Sequence, residues 1–296
     1  MVIERVSELP TIPDRPADGH KGTFGRVLIL AGSRGMSGAA ALAGLGALRG
    51  GAGLVYVATP REIIPIVASI EPSYLTVPLP EDGPTGRIGM GAQPEIETAA
   101  TQVDVVALGP GLGRSPEIVQ LVGNLVFTLE RPLVVDADAL NALAARGHAF
   151  ASRSFPEPRI LTPHPGEFAR LSGHAIETIQ ANREELAAEF AEEHGVVLVL
   201  KGQGTVVTDG RRVAVNGTGN SGLATGGSGD VLTGLIAALL AQGMDAFEAA
   251  QLGTHLHGLA GDLTAAEQSQ RGLIASDLPD ALGRAWRQTE AEIGKS

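Results

Sequence analysis

The stretch Arg26–Pro60, "RVLILAGSRGMSGAAALAGLGALRGGAGLVYVATP", decides the architecture. "RVLILAG" (Arg26–Gly32) is a short β-branched and leucine run bounded by glycine, the pattern of a buried strand. "SGAAALAGLGALRGGAG" is a small-residue helix that ends at glycines, and "LVYVATP" is a second strand stopped by Pro60. A strand, a helix and a strand in this order are the alternation of a mainly parallel sheet covered by helices. The glycines of "GLGALRG" (Gly44–Gly50) lie inside the helical run. They predict close helix packing rather than a ligand loop.

The same alternation runs outward from this unit. "VDVVALGPG" is a strand that enters a glycine loop. "SPEIVQLVGNLVFTL" is a helix with Ser115 as N-cap and Pro116 at its first position. "PLVVDADALNAL" is a strand turning into a helix, with Asp138 fitting the N-cap. "RILTPHPGEFARLSG" repeats the pattern, with Pro165 and Glu167 in the first helical turn and Gly173 at the end. "AIETIQANREELAAEFAEEHG" reads as one acidic amphipathic helix, and "VVLVLKGQGTVVTDGRRVAVNG" as a strand followed by a hairpin. Helices over 230–242 and 247–263 close the pattern. The first twenty residues and "PEDGPTGRIGMGAQ" read as loops. The expected fold is α/β: a three-layer α/β/α sandwich with a mainly parallel central sheet, in a single domain spanning 1–296 with an N-terminal extension over 1–20.

Composition narrows the function. The chain has 296 residues, 44% apolar but only 3% aromatic, and 40 glycines. With no cysteine, disulfides, thiolate metal sites and a cysteine nucleophile are excluded. A net charge of −11 argues against nucleic-acid binding. The longest apolar runs are too short to span a membrane. The N-terminus lacks a basic start followed by an apolar stretch, so no signal peptide is expected and the expected address is the cytoplasm. Only three lysines occur, against 19 arginines, and Lys21 and Lys201 both sit in glycine-bearing stretches.

In a parallel α/β sheet, ligands sit beyond the C-terminal ends of the strands. "AGSRG", "GPGLG", "DADALN", "TPHPGE" and "KGQGT" all fall there. "NSGLATGGSGD" (Asn220–Asp230) adds glycines 226, 227 and 229 just before a helix, an arrangement that aims backbone N–H groups and a helix dipole at an anion. One carboxylate, Asp230, stands beside that cradle. Its chemical use there is to take a proton from a hydroxyl that attacks a phosphate, while the amides stabilise the transferred group. Its alternative use is as an ordinary helix cap. "ALGPGLGR" (Ala107–Arg114) is either a tight strand-to-helix turn or a close approach to a ligand, and it lacks the dinucleotide fingerprint. The phosphate-binding pattern G-x-x-x-x-G-K-[ST] is absent. Asp136, or Glu167 in the first turn of its helix, offers oxygen to Mg²⁺, and Asp136 could do so through water. His164 is clamped between two prolines. "KGQGT" (Lys201–Thr205) presents a cation, two glycines and a hydroxyl to a phosphate. His255 and His257 do not share a helix face and are not read as a metal pair.

"HKGTFGRVLILAGSRGMSGAAALAG", "GPGLG", "DADALN", "LTPHPGEFARL", "LKGQGTVV" and "GNSGLATGGSGDVLTGLIAALLAQG" together resemble the NAD(P)H-hydrate dehydratases, repair enzymes of the ribokinase-like fold. The match runs in order from His20 to about His257, without the epimerase domain that bifunctional members carry. The resemblance implies dehydration of hydrated NADH or NADPH: a nucleoside phosphate, ADP or ATP, phosphorylates the added hydroxyl, and loss of phosphate restores the ring. It implies Asp230 as the group that activates the hydroxyl. Lys201, Gly202, Gln203, Gly204, Thr205 and Gly229, with Gly227 of the cradle, would hold the adenine nucleotide. Ala39 or Ala40, Gly111 and His164 would touch the hydrated cofactor. It further implies Mg²⁺ and a homo-oligomer, a tetramer in many members. The alternatives are a vitamin or sugar kinase of the same fold and a nucleotide sensor without catalysis.

Overall fold

In the computed structural model, residues 3–147 and 155–293 are described. Among them ten strands form one sheet: β1 (Glu4–Arg5), β2 (Arg26–Leu30), β3 (Leu54–Pro60), β4 (Leu75–Leu79), β5 (Val105–Leu108), β6 (Leu133–Val135), β7 (Arg159–Leu161), β8 (Val197–Leu200), β9 (Val206–Thr208) and β10 (Arg212–Val215). Their order is β1-β10-β9-β8-β7-β6-β5-β2-β3-β4. Only the β8–β9 and β9–β10 pairs are antiparallel. The chain builds outward from β2 to β4, returns to lay β5 against β2, and then builds the other way. The order reverses between β2 and β5, so the loops that follow these two strands open onto a crevice.

Eleven helices belong to the described residues: α1 (Ser37–Arg49), α2 (Ile64–Ile70), α3 (Gln93–Ala100), α4 (Pro116–Thr128), α5 (Ala137–Ala145), α6 (Pro165–Ser172), α7 (Ile176–Ala181), α8 (Arg183–His194), α9 (Ser228–Ala241), α10 (Ala246–Glu267) and α11 (Leu278–Ile293). Side chains alternate across a strand, and the two faces feed two cores. Val27, Ile29, Val105, Ala107 and Val134 pack with α1, α9, α10 and α11. Leu28, Leu30, Val106, Leu108, Leu133 and Val135 pack with α4, α5, α6 and α8. This is the expected three-layer sandwich.

Four expectations change in detail. The N-terminal extension is not all loop, because Glu4 and Arg5 pair with Arg212 and Val213 as an edge strand. Within the second segment read as a loop, Glu81 bridges Ile88 and a 3₁₀ turn covers Met90–Ala92. The acidic helix is two helices, broken at Asn182 (φ −134°). The chain also continues past residue 263 into α11, whose Leu278, Ala281, Leu282 and Ala285 are buried.

The glycines of α1 act as expected. A β-carbon on Gly46 would lie 2.2 Å from the Val231 carbonyl oxygen, and one on Gly234 of α9 would lie 1.9 Å from the Ala43 oxygen. Each helix thus meets the other's backbone directly. Gly234→Ala is expected to push the pair apart and to destabilise the fold by about 1–3 kcal/mol, read as a lowered Tm in thermal unfolding; an unchanged Tm would show that the contact tolerates a methyl group.

Candidate active site

β6 ends at Val135, and the next residue is the hub of the site. Asp136 is extended and Ala137 turns left-handed (φ 51°), a conformation uncommon for a residue with a β-carbon. Gly109 (φ 133°), at the end of β5, lies directly against this corner: a β-carbon there would come 1.9 Å from the Asp136 carbonyl oxygen. The Asp136 side chain is buried. Its Oδ1 accepts from Lys201 Nζ at 2.8 Å, and its Oδ2 from Thr233 Oγ1 at 2.8 Å. One carboxylate therefore ties β6 to the end of β8 and to the first turns of α9. Burial opposes charge on Lys201, but Asp136, Glu167 and Asp230 outweigh it and raise its pKa, so the ammonium stays charged. Its Nζ stands 3.2 Å from where a β-carbon on Gly229 would be. The cation is thus set over the N-terminus of α9, where it adds to the positive end of the helix dipole.

The glycine stretch enters α9 through Gly227 (φ 95°). The Ser228 amide donates to the Thr225 carbonyl at 3.4 Å and the Asp230 amide to the Gly227 carbonyl at 3.1 Å. Among the described residues, no loop or cap bond is donated by the amides of Gly226, Gly227 or Gly229. The loop is braced from α10. His257 Nε2 lies 2.9 Å from the Ser228 carbonyl and 3.2 Å from its Oγ. Burial drives the His257 pKa down to about 4, so the ring is neutral and its Nε2–H can donate to that carbonyl. Asp262 accepts from the Gly219 amide at 2.7 Å and from Asn220 Nδ2 at 2.8 Å.

Asp230 is the third residue of α9 rather than its cap, and it is half-buried. Burial, then the like charge of Asp136, push its pKa up to about 7; Lys201 pulls the other way, and Asp138 and Glu167 add smaller upward pushes. A carboxylate that titrates near neutrality, beside a fixed cation and a helix N-terminus, is suited to accept a proton.

The remaining candidates surround this centre. His164 is the N-cap of α6: its Nδ1 accepts from the amides of Gly166 (3.0 Å) and Glu167 (3.3 Å), while Glu167 Oε2 accepts from the His164 amide at 2.8 Å. This reciprocal cap fixes the imidazole and leaves it about half exposed, 52% for the side chain. Burial, then Lys201 and Arg170, lower its pKa. Glu167 is buried, and burial raises its pKa to about 7. Gly111 (φ 63°) faces α1, where a β-carbon would meet that of Ala39 at 2.9 Å. Ala39 is partly exposed beside it, whereas Ala40 is sealed in the core at 0% exposure and cannot reach a ligand. Asp138 does not cap α5, because Asp136 holds that position. Instead Asp138 Oδ2 reaches across to accept from the Gly113 amide at 2.9 Å and pins the "GPGLG" loop.

Lys201–Thr205 forms the β8–β9 turn, with Gly202 at φ 136° and Gly204 at φ 62°. Gln203 is exposed, and Thr205 Oγ1 donates to the Gly202 carbonyl at 2.9 Å. Arg183, which the sequence did not single out, donates through Nη2 to the Leu200 carbonyl at 2.8 Å and the Lys201 carbonyl at 3.2 Å, holding this turn. Among the described residues no group of three or more His, Cys, Asp or Glu is placed to hold a metal ion. Asp136 has both oxygens hydrogen-bonded, and Glu167 has Oε2 on the His164 amide and Oε1 3.4 Å from His164 Nε2. Such a donor set fits Mg²⁺ carried on phosphates and met by the protein through water.

A family model described as NAD(P)H-hydrate dehydratase matches residues 27–284, which contain every element of this centre. This chain belongs to the NAD(P)H-hydrate dehydratase family. It is 47% identical over 284 residues to the bifunctional NAD(P)H-hydrate repair enzyme of Moorella thermoacetica, an alignment that covers 95% of this chain and 53% of that protein. It is 39% identical over 285 residues to the ADP-dependent (S)-NAD(P)H-hydrate dehydratase of Bacillus subtilis, covering 95% of each. The crystal structure of the Bacillus subtilis ADP/ATP-dependent NAD(P)H-hydrate dehydratase, co-crystallised with ATP and Mg²⁺, aligns with a TM-score of 0.81 at 36% identity over 94% of each chain. The chain spans about half the length of the bifunctional relatives it matches. The sandwich is the ribokinase-like fold that the resemblance implied.

Within the family centre, burial makes the charge on Asp230 costly. Its raised pKa favours the folded state fully below about 3.8, and that advantage is lost as pH rises through about 7. Asp230→Asn, which cannot ionise, is expected to raise Tm relative to the wild type at pH 8 and to give a smaller gain at pH 5. A gain independent of pH would show that Asp230 titrates like an exposed carboxylate.

Proposed function

We propose that this protein dehydrates hydrated NADH or NADPH at the expense of an adenine nucleotide, ADP or ATP, through transfer of the terminal phosphoryl group to the added hydroxyl. The observation that carries the reading is the placement of Lys201 over Gly229 at the N-terminus of α9, with the neutral-range carboxylate of Asp230 at the next position. Family membership and the near full-length likeness to an ADP-dependent (S)-NAD(P)H-hydrate dehydratase support the substrate class and the donor.

The nucleotide lies along the Lys201–Thr205 turn, its terminal phosphate at Gly227 and Gly229. Lys201 and the helix terminus neutralise charge that builds on the transferred group. Mg²⁺, when bound on the phosphates, screens them further, with Asp136 and Glu167 reached through water. Ala39, Gly111 and His164 hold the hydrated ring so that its hydroxyl faces Asp230. The Asp230 carboxylate takes the hydroxyl proton as the oxygen bonds to the terminal phosphorus, and the bond from phosphorus to the leaving nucleotide breaks. The phosphorylated adduct then loses phosphate: the carbon–oxygen bond breaks with its electrons, a proton leaves the neighbouring carbon, and the ring double bond re-forms. ADP thereby yields AMP and phosphate. Asp136 touches none of the reacting atoms in this scheme; it positions Lys201 and Thr233.

A homo-oligomer, a tetramer by family resemblance, and a cytoplasmic address belong to the same proposal. Exposed Ile66, Ile70 and Leu75 beside the β4 edge support contact between copies. Among the described residues no helix is long and apolar enough to cross a membrane.

Hydrated NADH mixed with Mg²⁺ and either ADP or ATP is expected to recover NADH absorbance. No recovery with either nucleotide removes the reading, and phosphorylation of a vitamin alcohol instead points to a kinase. Asp230→Asn is expected to keep nucleotide affinity within about twofold while lowering kcat by roughly 10²–10⁴; turnover at the wild-type rate would unseat Asp230 as the base.

The base form of Asp230 grows with pH, so kcat/KM is expected to rise through a midpoint near 7. Lys201 lowers that pKa and Glu167 raises it. Lys201→Met should therefore move the midpoint up and Glu167→Gln should move it down. Midpoints unmoved by both changes would assign the profile to another group.

A further inference from the structure

A helix start is commonly steadied by the side chain of its cap, and the start of α9 lacks one. Its N-cap is Gly227, with no side-chain cap bond, and Gly226 and Gly229 lie on either side. A side chain at this terminus would fill the space an anion needs. Support can therefore reach it only from behind, through its carbonyl groups. That support comes from α10. His257 is 8% exposed, in a turn of α10 whose Leu256, Gly258 and Ala260 are buried as well. Its Nε2 lies 2.9 Å from the Ser228 carbonyl oxygen. A carbonyl only accepts, so Nε2 carries the ring hydrogen and donates it. Thr233 Oγ1 stands 3.1 Å from the next carbonyl, that of Gly229, but it is 2.8 Å from Asp136 Oδ2 and its one hydrogen goes there.

The peptide unit converts this bond into a direction. The Ser228 carbonyl and the Gly229 N–H belong to one planar trans peptide, in which C=O and N–H point opposite ways. With the carbonyl drawn to His257, the Gly229 N–H is turned away from α10. Among the described residues no loop or cap acceptor takes that hydrogen. Lys201 Nζ lies 3.2 Å from the place of a Gly229 β-carbon, so the ammonium and the free amide stand together at one residue. A donor held on the far oxygen of an amide also polarises its N–H, as in any chain of hydrogen bonds. Burial keeps the imidazole neutral, so it brings no charge of its own to the terminus. A leucine would fill the same buried space. What the imidazole adds is the donor.

We infer that His257 is a positioning residue for phosphoryl transfer: through the Ser228–Gly229 peptide it aims the Gly229 N–H at the transferred group. The inference rests on the reading of this terminus as the phosphoryl seat.

Affinities for AMP, ADP and ATP, measured by calorimetry with Mg²⁺ and no hydrated substrate, give the gain from each added phosphate. In the wild type the phosphate that reaches the seat is expected to add roughly tenfold or more. His257→Leu removes the donor, and His257→Met does so with a side chain that adapts to the space, should the first variant not fold. Either is expected to abolish most of that gain and to leave AMP affinity within about twofold. With hydrated NADH, kcat is expected to fall roughly 10- to 100-fold while KM for the hydrate stays within about twofold, less than the loss of a whole oxyanion donor. His257→Gln, whose amide nitrogen can stand in for Nε2, should restore most of both. A lowered Tm with the phosphate gain and kcat unmoved shows packing alone and overturns the inference. So does a Gln variant no better than Leu or Met. The two readings fail separately. A protein that restores no NADH yet loses the phosphate gain without His257 loses the dehydration and keeps the positioning. One that restores NADH at the wild-type kcat after His257→Leu or His257→Met keeps the dehydration and loses the positioning.

Discussion

The buried contact between Asp136 and Lys201 is the constraint on which the centre depends. Taking two charges out of water is costly, and removing one partner of such a pair typically costs about 3–5 kcal/mol. The cost is offset here because Asp136 also accepts from Thr233, so each of its oxygens has a donor. The gain is geometric. Three elements distant in sequence, the ends of β6 and β8 and the start of α9, meet at one carboxylate. Without it the ammonium would have no fixed position over Gly229.

The same pair sets the electrostatics of its neighbour. Asp230 lies half-buried beside the carboxylate of Asp136, and both effects favour its protonated form. Each Asp136 oxygen has its own donor, and burial, then the like charge of Asp136, push the Asp230 pKa up to about 7. Two carboxylates in one site thus differ in role, Asp136 tying Lys201 and Thr233 together and Asp230 suited to accept a proton. His257, neutral and buried against Ser228, supports the loop without adding a charge to this balance.

Much of this was legible in the chain itself. Ser115 and Pro116 announced the start of α4, and Ser115 Oγ accepts from the Ile118 amide at 3.2 Å. Gly173 announced the end of α6 and adopts φ 76° there. Local signals of this kind need only a few residues of chain. What was not legible depends on contacts across the fold. Asp138 has the chemistry of a cap, yet it is drawn to the Gly113 amide, 25 residues away along the chain. Thr233, His257 and Asp262 act through partners that no spacing rule connects. Ala39 and Ala40 are indistinguishable by type, and only the rotation of α1 separates the exposed one from the sealed one. The break at Asn182 interrupts a helical run and carries no glycine or proline to mark it. By contrast, α11 carried a signal, apolar residues recurring at 278, 281, 282, 285 and 286.

The glycine contact between α1 and α9 has a mechanical consequence. Two backbones that touch with no side chain between them have no soft layer to absorb sliding, and the contact has little compliance. The start of α9, the proposed phosphate seat, is therefore bolted to α1 at a fixed height. Any adjustment around a ligand then falls to the outlying hairpin turns and loops rather than to the α1–α9 pair.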